Sequence, residues 1–114
     1  MSEETIFHKI MNKEIPAVIV FEDDLCVAFK DVNPVAPTHV LIVPRATIGS
    51  LNQAVPDHEK LLGHLLMVAR DIAASQNFGD GYRVVINTGA DAGQTVFQLH
   101  VHLIGGRKFH WPPG

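Results

Sequence analysis

The sequence predicts an α+β domain in which two helices pack on an antiparallel sheet of about five short strands. Three observations lead to this class: one long segment with helical periodicity at 56–76, several short β-rich runs separated by turn signals, and a length of 114 residues. Hydrophobic residues make up 46% of the chain and charged residues 18%, a composition typical of packed globular proteins. We therefore expect a single domain over residues 1–114.

The first elements along the chain are a short helix and a hairpin. Apolar residues recur at helical spacing over 5–15, and Pro16 ends that pattern. The runs AVIVFEDD and LCVAFKD meet at the acidic pair Asp23 and Asp24, which favours a tight turn between two strands. NPVAPT contains two prolines and predicts a loop, and the apolar run THVLIVP that follows predicts a third, buried strand.

The second half of the chain contains the main helix and two more strands. Between Pro56 and Gln76, one side of the predicted helix is apolar and should cover the sheet; it consists of Leu61, Leu65, Val68, Ala69 and Ile72. YRVVINT predicts a fourth strand, GADAG a loop, and TVFQLHVHLIGG a fifth strand.

Charge and cysteine content exclude several classes of partner. Nine Lys and Arg against twelve Asp and Glu give a net charge of -3, which offers no basic surface for nucleic acid or for an anionic membrane. The acidic N-terminus does not resemble a signal peptide, and no segment is long and apolar enough to span a bilayer. Cys26 has no disulfide partner in the chain and is expected to be a small buried residue, so we predict a reducing, cytoplasmic location.

The fifth predicted strand carries the candidate chemistry. Side chains alternate along a strand, so Gln98, His100 and His102 should share a polar face while their neighbours enter the core. Such a face could simply be solvated. Alternatively, the two histidines could bind zinc together with His39, although no cysteine pair or nearby carboxylate obviously completes that set. In the third interpretation, a neutral imidazole attacks phosphorus and a second histidine assists.

The loop that leads into this strand, residues 87–95, could bind the phosphate oxygens. Gly93 allows backbone N–H groups to approach an anion, and Gln94 and Thr95 add side-chain donors. Because this loop comes directly before the paired histidines, it favours the phosphorus chemistry over the other two interpretations.

At this point the residues match a known family. GQTVFQLHVHLIGGR closely resembles the signature of the histidine triad superfamily, and FEDDLCVAFKDVNPVAPTHVLIVPR with the terminal HWPPG resembles its Hint branch, over about residues 5–114. The resemblance implies a homodimeric, nucleotide-binding hydrolase that requires no metal or other cofactor. Such enzymes split the P–N bond of AMP and GMP conjugates with amines, and also act on acyl-adenylates, through a nucleotidyl-histidine intermediate.

The resemblance also implies roles for individual residues. His100 corresponds to the nucleophile, His102 to the histidine at the phosphate and leaving group, and His39 to the histidine of the third strand, with Thr95 as a second proton donor. Asp31 corresponds to the carboxylate that accepts the ribose hydroxyls, although it could instead cap the loop before Asn33. The base pocket corresponds to Ile6, Phe7, Ile10, Phe29, Val32 and Leu41, and the phosphate-binding positions to Asn87, Gly93, Gln94 and Thr95.

One position departs from the family pattern, because Gln98 stands where the first of three alternating histidines belongs. In the family, the backbone carbonyl at this position accepts a hydrogen bond from the nucleophile, and any residue supplies a carbonyl. Rate, pH dependence or substrate choice are the properties expected to differ. The alternative is a nucleotide-binding regulatory or scaffold protein with weak or no catalysis.

Trp111 is expected to dock against the body of the chain or against a partner subunit.

Overall fold

Five of the predicted β-rich runs pair into one antiparallel sheet with the strand order β1-β2-β3-β5-β4, in a computed structural model that describes residues 4–114. The predicted α+β class is confirmed, while the first three residues of the expected domain lie outside the described range. The elements are α1 (Ile6–Met11), β1 (Ile19–Glu22), β2 (Cys26–Lys30), β3 (Thr38–Pro44), α2 (Glu59–Gln76), β4 (Tyr82–Val85) and β5 (Val101–Gly105).

The two helices cover parts of opposite faces of the sheet. On β2, Cys26 and Ala28 belong to the apolar cluster packed under α2, whereas Val27 and Phe29 belong to the cluster under α1. This alternation is the period of two that a strand imposes, and both faces of β2 and β3 are therefore buried, as the apolar run THVLIVP predicts. Cys26 is a free, fully buried thiol, as expected.

The first helix is shorter than the sequence pattern predicts. It ends at Met11 instead of continuing to residue 15, because Lys13 adopts a left-handed conformation with φ 64°. The N–H of Lys13 donates to the Ile10 carbonyl at 3.0 Å and that of Glu14 to the Lys9 carbonyl at 2.8 Å. These two bonds form a Schellman motif, which satisfies the last carbonyls and stops the helix before Pro16.

The fifth strand is also shorter than predicted. TVFQLHVHLIGG was expected to be a strand throughout, but pairing with β3 and β4 is confined to Val101–Gly105. The residues before it are held instead by the chain that follows β3, and the Leu99 N–H donates to the Ile48 carbonyl at 2.6 Å. His100 therefore lies just outside β5, and His102 lies within it.

Smaller differences affect the remaining elements. The main helix begins at Glu59 after a separate 3-10 turn at Pro56–His58, and β4 covers only the first part of YRVVINT. No helix within residues 4–114 is long and apolar enough to span a membrane.

Two glycine substitutions test the packing of α2 and the segment after it on the sheet. A Cβ added at Gly105 would lie 2.7 Å from Cζ of Phe78, so Gly105→Ala should lower the free energy of unfolding by roughly 1–3 kcal/mol. Gly63 lies inside α2 with nothing within 4 Å of such a Cβ, so the control Gly63→Ala should raise it by roughly 0.5–1 kcal/mol. Urea denaturation measures both changes. A Gly105→Ala variant as stable as the wild type would contradict this packing.

Candidate active site

Three histidines come together on β3, on β5 and just before β5, on the face of the sheet that α1 partly covers. His39 lies on β3, next to the pair Leu41–His102 in the β3–β5 register. The ring centroids of His100 and His102 are 5.0 Å apart, and those of His39 and His102 are 5.2 Å apart. His39 and His100 are buried, and His102 is half-buried. The structure thus brings together the three histidines that the sequence singles out.

One hydrogen bond fixes the tautomer of His100. Its Nδ1 lies 2.8 Å from the backbone carbonyl oxygen of Gln98. A carbonyl only accepts hydrogen bonds, so Nδ1 carries the ring proton and Nε2 retains a free lone pair. The ring of Phe7 packs against the imidazole edge to face at 4.9 Å, which restricts the ring further. A neutral His100 is therefore held with Nε2 as its nucleophilic atom.

A second chain of hydrogen bonds fixes the tautomers of the other two histidines. The N–H of Val35 donates to Nδ1 of His39 at 3.2 Å, so the proton of His39 is on Nε2. Nε2 of His39 lies 2.9 Å from Nδ1 of His102 and donates to it. His102 must then carry its own proton on Nε2. The result is a histidine that presents an N–H donor next to His100.

Burial keeps this cluster uncharged. It lowers the pKa of His39 and of His100 below the ordinary value, against smaller opposing effects of Asp31 on both and of the Gln98 carbonyl on His100. The pKa of His102 falls to about 4, because burial is reinforced by repulsion from His100 and His39. At neutral pH the site is therefore a set of neutral imidazoles with fixed donors and acceptors.

Asp31 has the loop-capping role, one of the two that the sequence leaves open, and its second carboxylate oxygen faces His39. Its Oδ1 accepts the N–H of Asn33 at 2.8 Å and caps the loop, while Oδ2 lies 3.5 Å from Nε2 of His39. Asp31, His39 and His102 place one potential ligand atom each within 4.8 Å of one another. The expectation that no carboxylate lies near the histidines is therefore wrong, since β3 returns antiparallel to the end of β2.

Gln98 does not share the polar face of the two histidines, contrary to expectation. Its side chain is fully buried; Oε1 accepts the Ile48 N–H at 3.1 Å, and Nε2 donates to the carbonyls of Pro44 at 2.9 Å and Ala46 at 2.8 Å. The regular alternation ends because β5 begins only at Val101. The part of Gln98 that reaches the site is its backbone carbonyl.

The predicted phosphate loop is also more internally bonded than expected. Gln94 is buried, and its side chain accepts the Gly89 N–H and donates to the carbonyls of Gly49 and Val96, so it is not a free donor. The N–H of Gly93 donates to Ala90 and that of Gln94 to Gly89. These bonds close a 3-10 turn at Ala90–Ala92 and leave the exposed Thr95 and the half-buried Asn87 as the polar side chains of this loop from the predicted set.

Most of the predicted base pocket is part of the core. Four of its residues belong to the apolar cluster under α1, namely Phe7, Ile10, Phe29 and Leu41. Ile6 and Val32 are 52% and 87% exposed, so they are the two members whose surface is open to a ligand. The four buried residues support the site from below, and Phe7 does so by direct contact with His100.

Sequence reasoning did not identify Val35 as part of the site. Its contribution is a backbone N–H, which every residue except proline supplies, so its side chain carries no signal. The position becomes important only because the loop before β3 brings this N–H to His39.

The family model for the HIT domain matches residues 12–109 of the chain. Among characterised and uncharacterised relatives, an uncharacterized HIT-like protein of Synechocystis is 59% identical over 114 residues, covering 100% of both chains. A maize protein described as a 14 kDa zinc-binding protein is 51% identical over 112 residues, which are 96% of this chain and 88% of that protein.

Solved structures of HIT and histidine triad proteins are also similar to this chain. A HIT family hydrolase from Legionella pneumophila superposes with a TM-score of 0.94 and 43% identity, covering 97% of this chain and 100% of that one. A hypothetical histidine triad nucleotide-binding protein from Sulfolobus tokodaii superposes with a TM-score of 0.81 and 31% identity, covering 95% of this chain and 72% of that one.

The buried side chain of Gln98 yields a prediction about stability. Gln98→Ala removes three hydrogen bonds and leaves the partner groups at 44–48 unsatisfied, so we expect a loss of roughly 2–4 kcal/mol in the free energy of unfolding. Gln76→Ala, at an exposed position of α2, should change it by less than about 0.5 kcal/mol. Equal, small effects of the two substitutions in urea denaturation would contradict the anchoring role of Gln98.

Proposed function

Because the chain belongs to the HIT domain family, we propose that it is a nucleotide hydrolase that forms a covalent nucleotidyl intermediate on His100. The observation that carries this proposal is the hydrogen bond from Nδ1 of His100 to the Gln98 carbonyl, which leaves Nε2 unprotonated. The names of the Legionella and Sulfolobus proteins, a hydrolase and a nucleotide-binding protein, support the same class. The substrates that we propose are purine nucleoside phosphoramidates, meaning AMP and GMP conjugates with amines, and also acyl-adenylates.

In the first step, Nε2 of His100 attacks the α-phosphorus as the bond from phosphorus to the amine nitrogen breaks. The imidazole gains a positive charge in the adduct, and the Gln98 carbonyl stabilises that charge through the proton on Nδ1. His102 donates its Nε2–H to a phosphoryl oxygen and so offsets the negative charge that develops there. This N–H is available at neutral pH because Nδ1 of the neutral ring accepts a hydrogen bond from His39, which leaves the single ring proton on Nε2.

The leaving amine needs a proton, and His102 cannot act as a general acid at pH 7 because its ring is neutral. Thr95 is exposed and lies shortly before His100 in the sequence. Its hydroxyl can donate a proton to the amine while it accepts another from water. Of the two proton donors that the resemblance implies, we therefore assign the transfer to Thr95 and the phosphate hydrogen bond to His102. Such proton transfer contributes roughly 10²–10⁴-fold to a rate.

In the second step, water attacks phosphorus and releases a proton through the Thr95 hydroxyl to solvent, the bond from phosphorus to Nε2 breaks, and neutral His100 is regenerated with the nucleotide as product. The nucleotide is held by Asp31 at the ribose hydroxyls and by Ile6 and Val32 at the base. Asn87 and Thr95 are the side chains available for the phosphate. Asp31 can serve the ribose through Oδ2, because Oδ1 is already bonded to the Asn33 N–H.

We also propose that the chain works as a cytoplasmic homodimer. β4 is an edge strand of the sheet, with Tyr82 and Val84 about two-fifths exposed. Trp111 is 86% exposed, so it does not dock against the body of its own chain as one expectation had it, and the partner subunit is the remaining candidate. A cavity of about 660 Å³ opens between β4 and the C-terminal tail, and its lining includes none of His39, His100 and His102.

A metal at Asp31, His39 and His102 is the second candidate for this site, since the maize relative is called a zinc-binding protein. The hydrogen bonds argue against it. A metal ligand atom must offer a lone pair, but the Val35 N–H occupies Nδ1 of His39 and places a proton on Nε2, the atom that faces the other two residues. The proposed reaction therefore uses no metal at this group.

His100→Ala tests the proposed nucleophile. Turnover of an adenosine phosphoramidate should fall by roughly 10⁴-fold or more, while AMP binding measured by calorimetry persists, because the variant loses the attacking imidazole but keeps the residues proposed to hold the nucleotide. His58→Asn, a histidine replacement at the 3-10 turn before α2, serves as the control and should keep full turnover. Mass spectrometry of quenched wild-type protein should locate the nucleotide on His100.

If the wild type binds AMP but shows neither turnover nor an adduct, the hydrolase proposal is wrong. The alternative, a nucleotide-binding regulatory protein, would then take its place.

The pH dependence of the rate follows from the lowered pKa of His100. Because burial favours the neutral ring, the acid limb of kcat/KM, on which Nε2 takes up a proton, should have its midpoint below pH 6.5. A rate profile over pH 4–8, with circular dichroism to confirm folding at each pH, measures this. An acid limb centred at or above pH 6.5 would contradict the account.

A further inference from the structure

A second cluster of metal-ligating residues lies where the β1–β2 turn meets α2. Asp23 and Cys26 flank the turn, His64 extends from α2, and each offers one ligand atom within 4.8 Å of the other two. Cys26 belongs to the α2 face of the sheet, whereas His39 and His102 lie on the other face. We propose that this group, which we call the turn–helix cluster, binds a divalent transition metal of the zinc or cobalt type.

The turn holds the carboxylate of Asp23 in a fixed orientation. Oδ1 accepts the N–H of Leu25 at 2.8 Å and that of Cys26 at 2.9 Å, which leaves Oδ2 directed at Nε2 of His64, 2.7 Å away. Donor atoms around a tetrahedral zinc ion stand roughly 3.3–3.8 Å apart, as its bond lengths of about 2.0–2.3 Å require. Small movements of the His64 and Cys26 side chains are therefore enough to place the three atoms around one ion.

The donor set selects the class of metal. A thiolate, an imidazole and one carboxylate oxygen suit zinc or cobalt, whereas magnesium and calcium prefer all-oxygen sites. Binding displaces the thiol proton of Cys26 into solvent and forms the metal–sulfur bond, while the single proton of neutral His64 moves from Nε2 to Nδ1. Within residues 4–114 no hydrogen bond holds Nδ1 of His64, so this shift is open to it, in contrast to His39.

Burial of the thiol makes metal binding dependent on pH. Desolvation, followed by the charge of Asp23, raises the pKa of Cys26 to about 12, so the ion must compete with a firmly held proton. Cys26 itself has no exposed surface, so an ion would have to enter past the side chains of His64 and Asp23, which are 32% and 29% exposed. Three protein ligands leave a fourth position for water. The bound metal would cross-link the hairpin to α2 and act on stability, independently of His100.

The chain contains a single cysteine, which makes cobalt an unambiguous probe. Co²⁺ alone, titrated into the full chain at pH 8 with a non-thiol reductant, should produce a thiolate-to-cobalt charge-transfer band that saturates at one ion per chain. The Asp31, His39 and His102 group contains no sulfur and gives no such band. Zn²⁺ should displace the cobalt and raise the thermal unfolding midpoint.

Four variants make the assignment specific. Cys26→Ala should abolish the band, and His64→Gln and Asp23→Asn should weaken cobalt binding by roughly tenfold or more. Asp24→Asn, at an exposed carboxylate in the same turn, should leave the affinity unchanged. If Cys26→Ala fails to fold, the half-exposed His64 still provides the test. Absence of the band in the wild type, or a band whose affinity survives both His64→Gln and Asp23→Asn, would overturn the proposal.

Discussion

The hydrogen bond between Nδ1 of His100 and the carbonyl of Gln98 is the constraint on which the proposed chemistry depends. Without it, the ring could carry its proton on either nitrogen, and in one of the two tautomers Nε2 would have no lone pair for the attack. The carbonyl is held in place because the Gln98 side chain is anchored to three backbone groups of residues 44–48. The packing that keeps β5 from beginning before Val101 is thus the same packing that orients the imidazole of His100.

His39 and His102 are neutral, yet their hydrogen bonds fix which ring nitrogen can donate. The Val35 N–H sets the proton of His39, His39 sets that of His102, and the outcome is an N–H donor beside an unprotonated nitrogen. Burial and mutual repulsion keep the pKa of His102 near 4, so this arrangement persists across the physiological range. A phosphate group would meet donors that are already oriented, which is the condition for stabilising a charge that appears only during the reaction.

Much of the fold follows from the sequence because periodicity reports burial directly. The apolar run THVLIVP predicts a buried strand, and the apolar stripe of the 56–76 segment predicts α2. The ends of elements were harder to predict. A Schellman motif ends α1, and hydrogen bonds of Gln98 and Leu99 to residues 44–48 delay the start of β5. Both depend on backbone groups whose partners are set by the fold.

The candidate site divides in the same way. His100 and His102 alternate with apolar residues along one predicted strand, and His39 lies on another, so the sequence identifies all three. The other features of the site depend on tertiary contacts, which no local sequence pattern encodes. They are the buried hydrogen bonds of Gln98 and Gln94, the backbone N–H of Val35 and the position of Asp31 beside His39. The Asp23, Cys26 and His64 group was hidden for the same reason, since its members lie up to 41 positions apart.

Two-bond ¹H–¹⁵N correlation spectra of the imidazole rings at pH 7 test the central claim most directly, because they report which nitrogen of each histidine carries the proton. We predict a neutral His100 protonated on Nδ1, with His39 and His102 protonated on Nε2. A His100 ring protonated on Nε2, or doubly protonated at this pH, would contradict the account.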